Sequence, residues 1–128
     1  MNSELILVDD DKVLLLILQK MIHIVKPGFR LISFSSDHEA LAYLSENPSP
    51  GKSRTVMLDI NLGEMNAWKF MDELMGRAAD CPKIILMTSS VSSSNLEKVK
   101  KYSPVIGFFE KPITIEITRQ IFELINMD

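Results

Sequence analysis

The sequence has almost no cysteine, no long apolar run and no basic excess, and each shortage closes off a class of protein. One cysteine, Cys81, in 128 residues leaves no partner for an internal disulfide. The chain is therefore not a disulfide-stapled scaffold, and it suits a reducing compartment such as the cytoplasm. Cys81 itself is expected to be a small buried apolar residue. The longest apolar stretch, Val13 to Leu18, lies between Asp11-Lys12 and Gln19-Lys20, far short of the ~20 residues that cross a bilayer. The opening Met1-Asn2-Ser3-Glu4 lacks the basic start and long apolar centre of a secretion signal. A soluble protein without membrane contact is expected. The net charge is −3, the pI is about 5.4, and Lys98, Lys100 and Lys101 form only a local cluster. No field of that kind draws in DNA or RNA, so direct nucleic-acid binding is not expected.

What is present is the composition of one globular domain: 46% hydrophobic and 24% charged residues. A chain of this size buries roughly two-thirds of its unfolded surface, and residues 1–128 are expected to form a single unit. The apolar run Glu4 to Asp9 ends in acids and reads as a strand. A helical pattern follows, with apolar residues at 14, 17, 18, 21 and 25, stopped by Pro27-Gly28. Phe29 to Phe34 alternates as a second strand, and Ser36 or Asp37 can cap a helix through Leu44. The loop Asn47-Pro-Ser-Pro-Gly51 precedes a third strand, Arg54 to Asp59, and a helix from Trp68 to Met75 that should end at Gly76. A fourth strand, Lys83 to Thr88, opens after Pro82. The serine-rich segment Ser89 to Ser94, read as a loop and helix cap, leads to a helix around Leu96 to Tyr102. Val105 to Phe109 is the fifth strand, and Ile113 to Met127 the last helix, with Thr114 as its cap. Five short apolar strands alternating with five helices predict an α/β fold, a parallel sheet covered on both faces.

In such sheets ligands bind beyond the carboxyl ends of the strands, where the winding reverses. Here strand one ends at Asp9-Asp10, strand three at Asp59, strand four at Thr88, and Lys111 follows strand five. Two carboxylates ~4 Å apart repel by about 4 kcal/mol at an effective dielectric of 20, so three gathered together call for protonation or a cation. An all-oxygen set without histidine or cysteine suits Mg²⁺ better than zinc. A carboxylate beside that ion can act as nucleophile toward a phosphoryl group, while a lysine and a hydroxyl stabilise the phosphoryl oxygens. Phosphoryl transfer to Asp59 is the expectation.

Four pieces in order, Leu-Val-Asp9-Asp10-Asp11, Met-Leu-Asp59-Ile-Asn-Leu, Leu-Met-Thr88-Ser and Phe108-Phe-Glu-Lys111-Pro112, are modest alone and specific together. Over essentially its whole length the sequence resembles the receiver domain of two-component response regulators. That resemblance implies a flavodoxin-like three-layer domain with a five-stranded parallel sheet in the order 2-1-3-4-5. It implies Asp59 as phosphoacceptor, and Mg²⁺ held by Asp9, Asp10, Asp59 and the backbone carbonyl of Asn61. It implies Lys111 paired with the phosphoryl group, Thr88 moving to bond it, and Phe108 reorienting as part of the switch. A sensor histidine kinase or histidine phosphotransfer protein would supply the phosphoryl group, and the domain would hydrolyse it afterwards, with no other enzymatic activity. The donor histidine is the partner's, since His23 and His38 sit in no motif. The resemblance also implies a cis peptide at Lys111-Pro112.

The chain departs from the family where Gly63 and Ala67 stand in place of the usual proline and glycine, and where Ser89 replaces a common alanine. Asn61 and Ser90 lie where the family tunes its dephosphorylation, so the lifetime of the phosphorylated state is open. Each site residue also has a plain structural role to weigh: acid triplets cap helices, Thr88 suits a strand, and Phe108 suits a core. A metal-dependent phosphohydrolase would need a second acid two residues beyond Asp59, where Asn61 stands. A receiver-like interaction module that never takes phosphate is the stronger alternative, and the complete set Asp9, Asp10, Asp59, Thr88 and Lys111 argues against it.

The run Val13 to Leu18 turns apolar side chains in every direction, so part of the first helix should be exposed beside the acidic pocket. It is either a dock for the helices of a histidine donor, testable at Leu15 or Leu16, or a fully buried helix end. Because the last helix runs nearly to Asp128, output is expected through an unidentified downstream protein or a second copy of the chain, unless the chain is an excised piece.

Overall fold

The computed structural model describes residues 3–47, 53–62, 64–77, 81–89 and 92–126. Ten elements alternate along the chain: β1 (Ser3–Val8), α1 (Lys12–Val25), β2 (Arg30–Phe34), α2 (Asp37–Glu46), β3 (Ser53–Asp59), α3 (Ala67–Arg77), β4 (Lys83–Thr88), α4 (Ser93–Val99), β5 (Val105–Glu110) and α5 (Ile115–Ile125). The strands pair in parallel in the order β2-β1-β3-β4-β5, so the winding reverses between β1 and β3.

Period-two geometry explains why both faces are covered. On one face Ile6, Val8, Val56, Leu58, Ile84 and Leu86 pack with Ala40, Leu41 and Leu44 of α2 and Phe70, Met71 and Leu74 of α3. On the other, Leu5, Leu7, Met57, Ile85 and Met87 pack with Leu15, Leu18 and Ile22 of α1 and Ile121, Phe122 and Ile125 of α5. Successive side chains of one strand feed opposite clusters, so the strands read as continuous apolar runs. At Gly107 on β5, a Cβ would meet the side chains of Leu124 of α5 and Phe109 at 2.9 Å, so any larger residue there would require those two side chains to shift.

The helix ends follow from their caps. Asp11 accepts the N–H groups of Val13 and Leu14, Ser36 that of Glu39, Ser92 that of Asn95 and Thr114 that of Ile117. Gly28, at φ +80°, turns the chain after α1. The start of β1 carries a buried acid, Glu4, held by Arg30 and Arg54 at 2.8 Å each.

Four expectations need correction. The buried face of α1 is Leu15, Leu18 and Ile22, while Ile17 is 48% exposed; the run is apolar all round, so apolarity alone does not fix its phase. α3 continues through Gly76 to Arg77, whose guanidinium pairs with Glu73 one turn back at 3.0 Å. α4 starts three residues earlier than expected because Ser92 caps it, and it gives way to tighter turns when Lys101 and Tyr102 donate to Lys98 and Val99. Cys81 is exposed, since it precedes β4 outside both clusters. The expected loop segment 48–52, Gly63 and Ser90 lie outside the described residues.

Candidate functional site

The carboxyl ends of β1 and β3 lie side by side, with Val8 paired to Leu58, and this register sets Asp9 and Asp59 next to each other. Asp10 follows Asp9, and carboxylate oxygens of Asp9, Asp10 and Asp59 all lie within 4.8 Å of one another. Asp9 is 1% exposed, Asp59 is buried and Asp10 is exposed, so the cluster opens to solvent on one side. Backbone groups fix both buried acids: Asp9 Oδ1 accepts the N–H of Asp11 at 2.9 Å, and Asp59 Oδ1 accepts that of Asn61 at 3.0 Å. Each is a carboxylate bonding the backbone two residues on, which orients the remaining oxygen outward.

Lys111 reaches across from the end of β5. Its Nζ donates to Asp9 Oδ2 at 2.9 Å and to Asp59 Oδ2 at 2.6 Å, bridging the two strands. The backbone places it there, because the N–H of Lys111 donates to the carbonyl of Thr88 at 2.7 Å. The expected cis peptide is present at Lys111-Pro112. Burial works against the Lys111 ammonium, yet its bonds to Asp59 and Asp9 prevail and hold its pKa above the ordinary lysine value. Burial also raises the Asp9 carboxyl, and the Asp11 N–H and Lys111 only partly offset it.

Three carboxylates less one ammonium leave two uncompensated charges, the charge of one divalent cation. The donor set is all oxygen. For Mg²⁺ with oxygens at about 2.1 Å, neighbouring ligands lie about 3.0 Å and opposite ligands about 4.2 Å apart. The three oxygens, all within 4.8 Å of one another, would close in slightly around such an ion, and in charge and donor type the residues present fit a hard divalent ion.

Thr88 ends β4, is 2% exposed and adjoins the end of β3, where Asp59 pairs with Met87. Phe108 is half-buried on β5 and packs against the α2/α3-side cluster beneath the pocket. Asn61 follows Asp59 in the loop to α3. Asp9, Asp10, Asp59, Asn61, Thr88 and Lys111 therefore lie at one edge of the sheet, with Phe108 on β5 three residues before Lys111.

A family model for the response regulator receiver domain matches residues 5–123. The chain belongs to that family. Solved structures agree on the fold: a two-component response regulator from Legionella pneumophila is 21% identical with a TM-score of 0.76, over 96% of this chain and 97% of its own. A CheY-like receiver domain protein from Methanospirillum hungatei is 17% identical with a TM-score of 0.78, over 98% and 95%. A receiver protein from Dyadobacter fermentans is 18% identical with a TM-score of 0.77, over 98% and 99%. Among curated proteins no sequence matches. The expected flavodoxin-like order is the observed one, and no helix among the described residues of this receiver is long and apolar enough to cross a membrane.

One part of the receiver's site surroundings carries no signal in the sequence. Asp37, at the start of α2, accepts the backbone N–H groups of Glu64 and Met65 beyond β3, at 3.1 and 2.9 Å. Its place beside Ser36 marks it only as a capping residue, and Ser36 already fills that role.

Proposed function

We propose that residues 1–128 act as one receiver unit that accepts a phosphoryl group on Asp59 from a phosphohistidine donor, in a Mg²⁺-dependent reaction in the cytoplasm. The observation that carries the reading is the Lys111 ammonium shared between Asp9 and Asp59 beside a third acid. Such an arrangement leaves room for a divalent ion and points a fixed cation at the position a phosphoryl group would take. Asp9, Asp10, Asp59 and the Asn61 carbonyl are the groups that would hold Mg²⁺. When bound, the ion neutralises the acids and the charge that gathers on the phosphoryl oxygens.

The chain's own part is positioning. An Asp59 carboxylate oxygen attacks phosphorus, the phosphorus–nitrogen bond to the donor imidazole breaks, and the imidazole departs with the electron pair. A carboxyl–phosphate anhydride remains on Asp59. Lys111 shifts from the carboxylates to a phosphoryl oxygen, and Thr88 donates its hydroxyl to another. Thr88 and Phe108 form the switch: as Thr88 is drawn toward the phosphoryl group, the space above Phe108 changes, and the surface of β5 and its neighbours changes with it. Water later attacks the phosphorus, the anhydride bond breaks, and Asp59 is restored with release of inorganic phosphate. Self-phosphorylation and self-dephosphorylation are the only chemistry in this scheme. A downstream protein, or a second copy of the chain, reads the switched surface, and no direct contact with nucleic acid or membrane is involved.

The donor, a sensor histidine kinase or a histidine phosphotransfer protein, has a landing surface beside the pocket. α1 begins at Lys12, just after its cap Asp11 and next to the acids, and turns Val13, Leu16 and Ile17 outward at 68%, 54% and 48% exposure. Leu15 is buried beneath them, so Leu16 is the informative position. Leu16→Ala should slow transfer from a phosphohistidine donor about tenfold, the scale of one well-packed contact, and leave uptake from acetyl phosphate unchanged. Equal donor rates would remove the docking role.

The decisive experiment is titration with Mg²⁺ and beryllofluoride, an acyl-phosphate mimic, followed by Trp68 fluorescence beside an Asp59→Asn control. Trp68, at the start of α3, is 9% exposed and packs on the Tyr102 ring at 5.6 Å, so it senses movement between α3 and the turns that follow α4. A saturable change that needs Mg²⁺ and vanishes in the control is expected. No change by fluorescence, native mass or thermal shift would make a phosphate-independent interaction module the better description.

A further inference from the structure

The loop from β3 to α3 is held from outside the pocket as well as from within. Near its start the N–H of Ile60 donates to the Met87 carbonyl and that of Ala67 to the Ile60 carbonyl, both at 2.9 Å, while Ile60 and Leu62 are buried. On the far side Glu64 and Met65 direct their N–H groups onto Asp37 Oδ2 at 3.1 and 2.9 Å, and Asp37 Oδ1 takes the N–H of His38 at 2.7 Å. The His38 ring adds an outer latch, its Nε2 lying 2.8 Å from Glu64 Oε2.

Asp37 is 5% exposed. A carboxylate desolvated to that degree is strongly unfavourable unless its oxygens are hydrogen-bonded, and bonds to a charged acceptor are the strong ones. The positive end of α2 supports the anion but does not need it as a cap, since Ser36 fills that position. The loop's two N–H groups are therefore what make the buried carboxylate tolerable, and any loop shape that withdraws them leaves it short of donors. Asp37 and the loop select one another's conformation.

We infer that Asp37 is a positioning residue for the acceptor site: by fixing the backbone of Glu64 and Met65 it restrains the chain beyond Asn61, whose carbonyl would help to hold a bound metal ion. The inference rests on the phosphoacceptor reading above and names a residue outside the pocket on which that site depends. Linkage makes the dependence mutual, so an ion bound at the acids also tightens the hold of Asp37 on the loop.

The test compares Mg²⁺ dissociation constants, without any phosphodonor, for wild type, Asp37→Asn, Asp37→Ala and Arg54→Ala, well below each unfolding midpoint. Arg54→Ala serves as a destabilised control, because Arg54 braces Glu4 at the opposite end of the sheet. Residues that support metal ligands typically contribute 10–100-fold to affinity. Acting through the backbone, Asp37 should contribute about tenfold, so both Asp37 variants bind about tenfold more weakly while Arg54→Ala binds as wild type does. Equal affinity in all four proteins would overturn the role of Asp37 and leave the acceptor site standing. A wild type that binds no Mg²⁺ would instead overturn the phosphoacceptor reading and the inference with it. If neither Asp37 variant folds, amide exchange of Glu64 and Met65 in the wild type decides: slower exchange on adding Mg²⁺ supports the coupling, and unchanged exchange refutes it.

Discussion

The two ends of β1 each bury an acid, and they are built on opposite charge arithmetic. At the amino end Glu4 meets two arginines at 2.8 Å each, and Arg54 also donates to the Asn47 carbonyl and lies over the Tyr43 ring. At the carboxyl end Asp9, Asp10 and Asp59 share the single ammonium of Lys111. One acid with two cations is satisfied by the protein itself. Three acids with one cation are not, and the chain keeps that imbalance although two of the three acids are buried. A buried acid whose charge is met by the protein's own cations belongs to the scaffold; acids left in excess of their cations form a set that could hold a cation from outside.

The sharpest way to break the comparison is to exchange the consequences of damage at the two ends. Asp59→Asn should abolish phosphoryl uptake from acetyl phosphate, a loss of at least about a thousandfold, with no fall in stability. Retained uptake in the variant would place the chemistry elsewhere. Arg54→Ala should do the reverse. Its side chain is 10% exposed against a Glu4 side chain that is 8% exposed, so the change costs about 3 kcal/mol and leaves uptake intact once the protein is folded. A chemical denaturation curve that does not move would show that the amino-end cluster braces nothing.

Asp9→Asn tests the imbalance itself. The Asp9 carboxyl is raised from 3.8, chiefly by burial, so the folded state holds its proton more tightly than the unfolded chain. Ionisation therefore opposes folding: the penalty is absent below the unfolded value of 3.8 and grows as pH rises through the raised value. Without metal at neutral pH, Asp9→Asn should be more stable than wild type by about 1 kcal/mol, an unfolding midpoint about 4 °C higher. The gap should close at acid pH, and Mg²⁺ affinity should be lost. A lower midpoint at neutral pH would mean that the acids are already balanced. The smallest effect belongs to Arg30→Ala, whose side chain is 66% exposed; at such a site the loss is about 0.5 kcal/mol. A loss as large as that of Arg54 would show that both arginines are structural equals.

The same contrast explains what was legible in the sequence. Acids, a threonine and a lysine placed directly at strand ends are visible because parallel strands are short apolar runs with sharp borders, and the fold brings those borders to one edge. Glu4, Arg30 and Arg54 stand at strand starts with the same regularity. Their pairing is not legible in the sequence, because opposite charges near strand starts are common and carry no chemistry of their own. Asp37 is silent for a different reason: its partners are backbone N–H groups of Glu64 and Met65, far along the chain, and no residue type marks a backbone donor. The phase of α1 was hidden by its uniform apolarity, and only packing distinguishes buried Leu15 from exposed Leu16.

The central claim is that the unbalanced edge takes up a divalent ion and a phosphoryl group together. Intact-mass analysis of the wild type after incubation with acetyl phosphate, with and without Mg²⁺ and beside Asp59→Asn, tests it most directly. The account predicts one phosphoryl adduct in the wild type that requires Mg²⁺ and is absent from the variant. An adduct that forms without Mg²⁺, or one that survives in Asp59→Asn, would contradict it.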